Sequence, residues 1–158
     1  MPISIIRAQP ADAETLVRLQ IAAFHHDSVL YPEVELGGPP GYDSVEQMLE
    51  KIQQDETYKI VEGEVCIGGL VVFGKAAGQY HLDVIFLDPV AQNRGLGTLA
   101  MQFLERTYLA SVWTLDTPTW AVRNQHFYEK FGFVKLYEFD HGDGTPLIAY
   151  EKRAAASP

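Results

Sequence analysis

The chain is predicted to fold as one α/β domain, and three observations carry that prediction. Runs rich in β-branched and aromatic residues alternate with stretches whose apolar residues recur at helical spacing, in the order β-α-α-β-β-β-α-β-α-β-β. A glycine-bearing turn, Gln92-Asn93-Arg94-Gly95-Leu96-Gly97-Thr98, joins a central strand to a helix. No repeat and no linker composition divides the 158 residues, a length that a single core accommodates.

The elements follow in order. Ile3 to Arg7 alternates as a first strand. Pro10 and Asp12 then introduce a helix to about Phe24, with Leu16, Leu19 and Ala23 beside Val17, Ile21 and Phe24 as a broad apolar stripe. His25-His26-Asp27-Ser28 leads into a glycine- and proline-rich loop, Tyr31 to Tyr42. Adjacent histidines do not share a helix face and no third ligand is suggested by spacing, so no metal site is expected. Glu33 and Glu35 in that loop are solvated acids by default, or partners for a positively charged substrate.

Ser44-Val45-Glu46-Gln47 resembles a capping box and starts a helix with Val45, Met48, Leu49 and Ile52 on one side. Thr57 to Glu62 and Val65 to Phe73 read as strands of a hairpin turning at Gly63-Glu64. Gly68-Gly69 marks a bulge or a close backbone approach. Gly74 to Gln79 is then a turn into the central strand, Tyr80 to Leu87, which Asp88-Pro89 closes. A helix runs from Leu96 to about Tyr108, a strand from Val112 to Leu115, and a loop from Asp116 to Trp120. The last helix passes through Asn124 to Phe131 and stops at Gly132. Val134 to Phe139 and Pro146 to Glu151 pair around His141-Gly142-Asp143-Gly144, and the tail from Arg153 frays.

The turn before Leu96 carries the chemistry. The first N–H groups of a helix lack partners within it, and the macrodipole places partial positive charge there. Gly95 and Gly97 admit an anion with no Cβ in the way, and Arg94 adds a full charge, which together make a phosphate cradle. Gly95-x-Gly97-x-x-Ala100 with Asp116 downstream also fits a dinucleotide fingerprint. That pattern needs its first glycine directly after the strand, whereas seven residues, Asp88 to Arg94, intervene here. A lysine-serine/threonine phosphate loop is absent.

Gln92-x-x-Gly95-x-Gly97, after a strand ending Leu87-Asp88-Pro89, resembles the acyl-CoA signature of the GNAT N-acetyltransferase superfamily. A second block, Asn124-Gln125-His126-Phe127-Tyr128 through Phe131-Gly132-Phe133, is similar to that superfamily's later segment. The resemblance implies a GNAT fold: a mixed, twisted sheet of about six to seven strands with helices on both faces. It implies acetyl-CoA as cosubstrate and a primary amine, in a small molecule or a peptide, as acceptor. It places the donor's pyrophosphate on Gln92, Asn93, Arg94, Gly95, Leu96, Gly97 and Thr98, and the pantetheine arm along Ile85, Phe86 and Leu87. The Leu87 N–H would then face the thioester oxygen. Asn124 and Phe127 would border the donor arm, although a capping asparagine is an equal reading of Asn124.

Tyr128 matches the superfamily's general acid, with aromatic packing beside Phe127 and Phe131 as the other reading. For the base, the first candidate is Asp83, which matches an acidic residue that many members of the superfamily carry on this strand and would act through water or anchor a positive charge. His81 is the second, and the residues alone do not separate them. Strand geometry without a bulge puts His81, Asp83, Ile85 and Leu87 on one face. Phe24, Tyr31 and Trp120 are candidate walls of the acceptor pocket, while Trp113 reads as core. The competing reading is an acyl-CoA sensor of the same fold without turnover.

The formal net charge of −9 argues against nucleic-acid binding and suits a cationic substrate. Cys66 is the only cysteine and reads as a small buried hydrophobe. No signal-peptide pattern and no membrane-length apolar run is present, so a cytoplasmic protein is expected. A sheet extended between subunits through the central strands would make a homodimer.

Overall fold

The computed structural model describes residues 2–140, 142 and 144–154. His141 and Asp143 of the expected last turn, and the tail beyond Ala154, lie outside the described residues. Seven strands form one sheet: β1 (Ile3–Arg7), β2 (Glu56–Glu62), β3 (Val65–Ala76), β4 (Gln79–Leu87), β5 (Val112–Pro118), β6 (Val134–Asp140) and β7 (Pro146–Arg153). Their spatial order is β1-β2-β3-β4-β5-β7-β6, with β4 and β5 the one parallel pair. Helices α1 (Ala13–Leu30) and α2 (Val45–Gln54) pack on one face, and α3 (Leu96–Thr107) and α4 (Val122–Lys130) on the other. The expected mixed sheet between two helical layers is present. Its edges are β1 and β6, so a sheet continued into a second copy would run from these strands and not from the central pair.

Each layer has its own core. Leu16, Leu19, Met48 and Phe86 bury together on the α1/α2 face, whereas Leu70, Leu82, Ala100, Leu104, Trp113 and Tyr150 fill the other. Trp113 is core, as its strand position implied. Ser44 caps α2 by accepting the Gln47 N–H at 3.1 Å.

Three boundaries and one strand register differ from the sequence reading. Helix α1 continues past Phe24 to Leu30 and takes His25 to Ser28 into its last turns. His25 Nε2 shares a 2.8 Å hydrogen bond with the Tyr42 hydroxyl, which explains a histidine that spacing alone left unassigned. The turn before the central strand is two residues, Ala77 and Gly78, because Gly78 adopts φ +74° and reverses the chain at once. Strand β5 runs on to Pro118, since Asp116, Thr117 and Pro118 pair with Ala149, Ile148 and Leu147. The fourth difference is a bulge: Val71 faces Val84 while Val72 faces Leu82, which leaves Asp83 as an extra residue in β4.

That bulge changes which side chains share a face. Tyr80 and Leu82 point into the α3 core before it, and Val84 and Phe86 point into the α1/α2 core after it. His81 and Asp83 therefore face the α1/α2 side, while Ile85 packs on the α3 side. The single face expected for His81, Asp83, Ile85 and Leu87 is split at the bulge. Gly68 and Gly69 are the close approach anticipated for them: a Cβ at Gly68 would sit 2.3 Å from the Phe86 carbonyl oxygen.

Candidate active site

Parallel pairing between β4 and β5 ends at His81 and Thr114. Beyond that point β3 keeps β4 and β7 keeps β5, so the two strands part and open the sheet. The gap is a cleft of ≈ 740 Å³ whose walls come from both helical layers. Ile85, Thr117, Asn124 and Tyr128 line it on the α3/α4 side, and Gln20, Phe24, Asp27, Lys51, His81 and Asp83 on the α1/α2 side.

On the α3/α4 side the polar groups are mostly backbone. The Asp88 N–H donates to the Ile67 carbonyl at 2.8 Å, which makes Gly68 and Leu87 a non-hydrogen-bonded pair of the antiparallel ladder. Leu87 accordingly turns its N–H and C=O away from β3, toward the space that β5 has left. Gln92 Nε2 donates to that carbonyl at 3.2 Å, and the N–H has no partner in β3. The side chain of Gln92 thus braces the strand end. At the start of α3 no side chain caps the helix, so the N–H groups of Leu96, Gly97 and Thr98 face outward. Leu96 is itself 4% exposed, so only its backbone is offered.

The two glycines do different work. Gly95 has φ +77°, with nothing within 4 Å of the place a Cβ would take, so it supplies both the left-handed turn and an open approach. Gly97 instead meets the Phe127 ring, which lies 3.1 Å from where its Cβ would be. Its bareness lets α4 pack on α3, and the anion-approach reading of Gly97 gives way to this contact. The charge expected from Arg94 is also redirected: its guanidinium forks onto both oxygens of Glu62 on β2. The cation tied to the turn is Arg123, which donates to Asn93 Oδ1 at 2.9 Å and which sequence reading missed. Asn93 sits at φ 63°, a conformation asparagine tolerates in such turns.

Helix α4 settles the reading of Asn124. Ala121 occupies the N-cap position, so Asn124 lies inside the first turn, exposed and facing the cleft, and is not a cap. Tyr128 sits one turn further on, and its hydroxyl makes no hydrogen bond among the described residues. Burial pushes the phenol up to about 12. It packs edge-on against Phe127 and Phe133, so the packing and cleft-lining readings of Tyr128 coexist.

Side chains make the α1/α2 half. Asp83 accepts a 2.8 Å ion-pair hydrogen bond from Lys51 Nζ, an α2 residue that the sequence did not single out. His81 Nδ1 shares a 2.8 Å hydrogen bond with Thr114 Oγ1, its ring stacks on Phe73, and its Nε2 lies 3.8 Å from Asp116 Oδ2. Burial lowers the His81 pKa below the ordinary imidazole value, against the pull of Asp116, which keeps the ring neutral near pH 7. Asp27 is half-buried in the same wall, and desolvation raises its carboxyl to about 6, with His26 working the other way. Phe24 and Trp120 line the cleft as expected. Tyr31 stands behind: its ring packs on Trp120 at 5.2 Å and its hydroxyl accepts the Arg123 N–H at 3.0 Å. It ties the end of α1 to the start of α4 and does not itself line the cleft.

A family model described as Acetyltransferase (GNAT) family matches residues 22–133, more than half of the chain and including both strands of the gap. The chain belongs to the GNAT acetyltransferase family. S-(2-succino)cysteine N-acetyltransferase of Bacillus subtilis is 27% identical over 158 residues, covering 90% of each protein. The PaiA N-acetyltransferase from Thermoplasma acidophilum, solved in complex with coenzyme A, shares the fold with a TM-score of 0.75 at 17% identity, over 98% of this chain and 100% of that one. An acetyltransferase from Thermus thermophilus gives a TM-score of 0.72 at 16% identity, over 98% of both chains. This GNAT chain is an acetyl-CoA-dependent acyltransferase, and the sensor reading without turnover is not favoured.

The residues present fit that cosubstrate. The uncapped N-terminus of α3 beside Gly95 is open to a phosphate, and Asn124 and Tyr128 line the cleft. Cys66 is remote from the cleft walls, and burial raises its thiol pKa. Among the described residues no group of three metal-ligating side chains gathers, and no helix is long and apolar enough to cross a membrane.

Proposed function

We propose that this GNAT enzyme acetylates the primary amine of a positively charged small molecule or peptide by direct transfer, with His81 as the proton acceptor and Tyr128 as the proton donor. The observation that carries the reading is the opening between β4 and β5, which joins a backbone-lined half to a carboxylate-lined half at one point. Cys66, the chain's one thiol, stands outside the cleft's described walls, which supports direct transfer over a thioester on the enzyme. Bound acetyl-CoA supplies the acetyl group as a thioester, so negative charge grows on a carbonyl oxygen and a thiolate leaves.

The chain's own groups match those demands. The Leu87 N–H, unpaired with β3, is the donor that we assign to the oxyanion. Neutral His81 takes a proton from the incoming ammonium at Nε2, and Asp116 stabilises the imidazolium that results. Asp83 serves less well as base, because Lys51 already occupies its carboxylate. Tyr128, held protonated by burial, donates from its hydroxyl on the opposite side. After Tyr128 protonates the departing thiolate, the second proton of the attacking nitrogen restores its hydroxyl, and His81 passes the first to water, so one proton is released per turnover.

Asp27, Glu33, Glu35, Asp83 and Asp116 outnumber Lys51 as charged groups of the cleft wall, which favours a cationic acceptor. The acceptor in the name of the Bacillus subtilis relative, S-(2-succino)cysteine, carries carboxylates and meets an unfavourable field here. Release of free thiol from acetyl-CoA, followed with a panel of cationic, neutral and anionic primary amines, tests the proposal. Turnover confined to the cationic members is expected, and preference for the anionic ones would overturn it.

A further inference from the structure

Two buried side-chain polar atoms lack a hydrogen-bond partner among the described residues, Gln20 Oε1 and Thr117 Oγ1. Both belong to walls of the cleft. A buried acceptor without a donor costs free energy, and a ligand N–H that reaches such an atom in a cleft wall recovers that cost. Gln20 is the more telling of the two. It is 3% exposed, in the middle of α1, and its Nε2 donates to the Tyr42 carbonyl at 2.8 Å. That bond fixes the amide and leaves Oε1, a pure acceptor, without a donor.

Gln20, Phe24 and Asp27 stand at i, i+4 and i+7 on α1, one face of the helix, and all three line the cleft. From Gln20 to Asp27 the helix advances about 10 Å. The Asp27 carboxylate makes no ion pair or hydrogen bond among the described residues, and its burial is what raises its pKa. Tyr42 holds the covering loop onto this face, through Gln20, through His25 and through an edge contact of 5.9 Å with Phe24. The same loop brings Glu33 and Glu35 to the cleft. An acceptor oxygen, an apolar ring and a carboxylate in line suit a chain of methylenes ending in an ammonium.

We infer that the α1 face of Gln20, Phe24 and Asp27 is a specificity subsite for a second ammonium group of the acceptor, so that the preferred substrate is an alkyl diamine or longer polyamine. Gln20 Oε1 receives an N–H of the substrate, Phe24 covers its methylenes, and Asp27 pairs with the non-reacting ammonium. This rests on the transferase reading above and specifies its substrate. Asp27 acts in binding and takes no part in the proton transfers.

The test compares 1,4-diaminobutane with butylamine, two acceptors that differ in the second amino group alone, using acetyl-CoA and wild-type enzyme. A charge-assisted contact contributes enough to favour the diamine about tenfold in kcat/KM, expressed in KM. Asp27→Asn, which keeps the side chain's shape, is expected to erase most of that ratio. A thermal shift of wild type by the diamine without acetyl-CoA, lost in Asp27→Asn, provides a readout independent of turnover. Equal rates for the two amines, or an Asp27→Asn variant with the ratio intact, would overturn the subsite while leaving the transferase reading in place. Failure of every amine to release thiol would overturn both.

Discussion

The two halves of the cleft are built from different materials. On the α3/α4 side the groups offered to a ligand are peptide N–H groups, at Leu87 and at the start of α3, exposed by a left-handed glycine and by a strand that has lost its neighbour. On the α1/α2 side they are side chains, Asp83 with Lys51, His81 with Asp116, and Gln20 with Asp27, brought together from α1, α2, β4 and β5. Backbone donors are positioned by the fold itself and tolerate sequence change, which suits a cosubstrate shared by a whole family. Side-chain donors and acceptors are free to vary, which suits the partner that differs between members. Substitutions on the first side should therefore weaken acetyl-CoA, and those on the second should alter the acceptor.

The largest effect is expected at Gly95. Gly95→Glu forces a side chain into φ +77° and sets a carboxylate before the open α3 terminus. Acetyl-CoA should bind about 100-fold more weakly, close to 3 kcal/mol, and should cease to raise the melting temperature. A variant that kept the thermal shift would move the cradle elsewhere. Tyr128→Phe comes next, with kcat down about 100-fold and the KM for acetyl-CoA little changed, since the hydroxyl is needed only for proton donation. A loss in KM alone would make Tyr128 a packing residue.

Crossing to the other half, His81→Gln should lower kcat/KM about tenfold at pH 8. In the wild type, activity should fall as pH drops through a value below the ordinary imidazole pKa, because burial lowers His81 and only its neutral form accepts a proton. His81→Gln should lose that acid limb and Asp83→Asn should keep it; the reverse would transfer the base to Asp83. The smallest effect separates packing from binding. In Gly97→Ala the new methyl meets the Phe127 ring at 3.1 Å, a strain partly offset by alanine's better helix propensity. A net loss of about 1 kcal/mol or less is expected in denaturant unfolding, with Phe127→Leu in the same chain restoring it. No restoration would point back to the cradle as the reason for the glycine.

The same contrast explains what could be read from the amino acids. The cradle half was legible because its determinants are local: a strand, a turn with Gly95, and a helix start lie within one stretch of chain. Asn124 and Tyr128 came from the resemblance of their block to the superfamily's later segment, and the structure puts both on the wall of the cleft. What failed there was pairing at long range. Nothing near Arg94 says that Glu62, 32 residues away, takes its charge, and nothing near Gly97 says that Phe127 lies against it.

The acceptor half was scarcely legible for the same reason. Lys51 meets Asp83 across 32 residues, and the bulge that turns Asp83 toward it follows from the register of β3. Asp116 drew notice only as a ribose-binding acid, and the structure puts it beside His81. One signal was present and unused. Gln20 is a polar residue inside the apolar stripe of α1, and a polar break in a buried face asks for a partner. The extension of α1 to Leu30, which brings Asp27 onto that face, lacked any stop signal at Phe24 to argue against it.

The division of labour between the halves is tested most directly by backbone amide resonances during titration with coenzyme A. The N–H signals of Leu87, Leu96, Gly97 and Thr98 should move together and saturate, while those of Gln20, Asp27 and Lys51 stay close to their starting positions. Shifts concentrated on α1 and α2, with the start of α3 unmoved, would contradict the assignment of the backbone-built half to the acetyl donor.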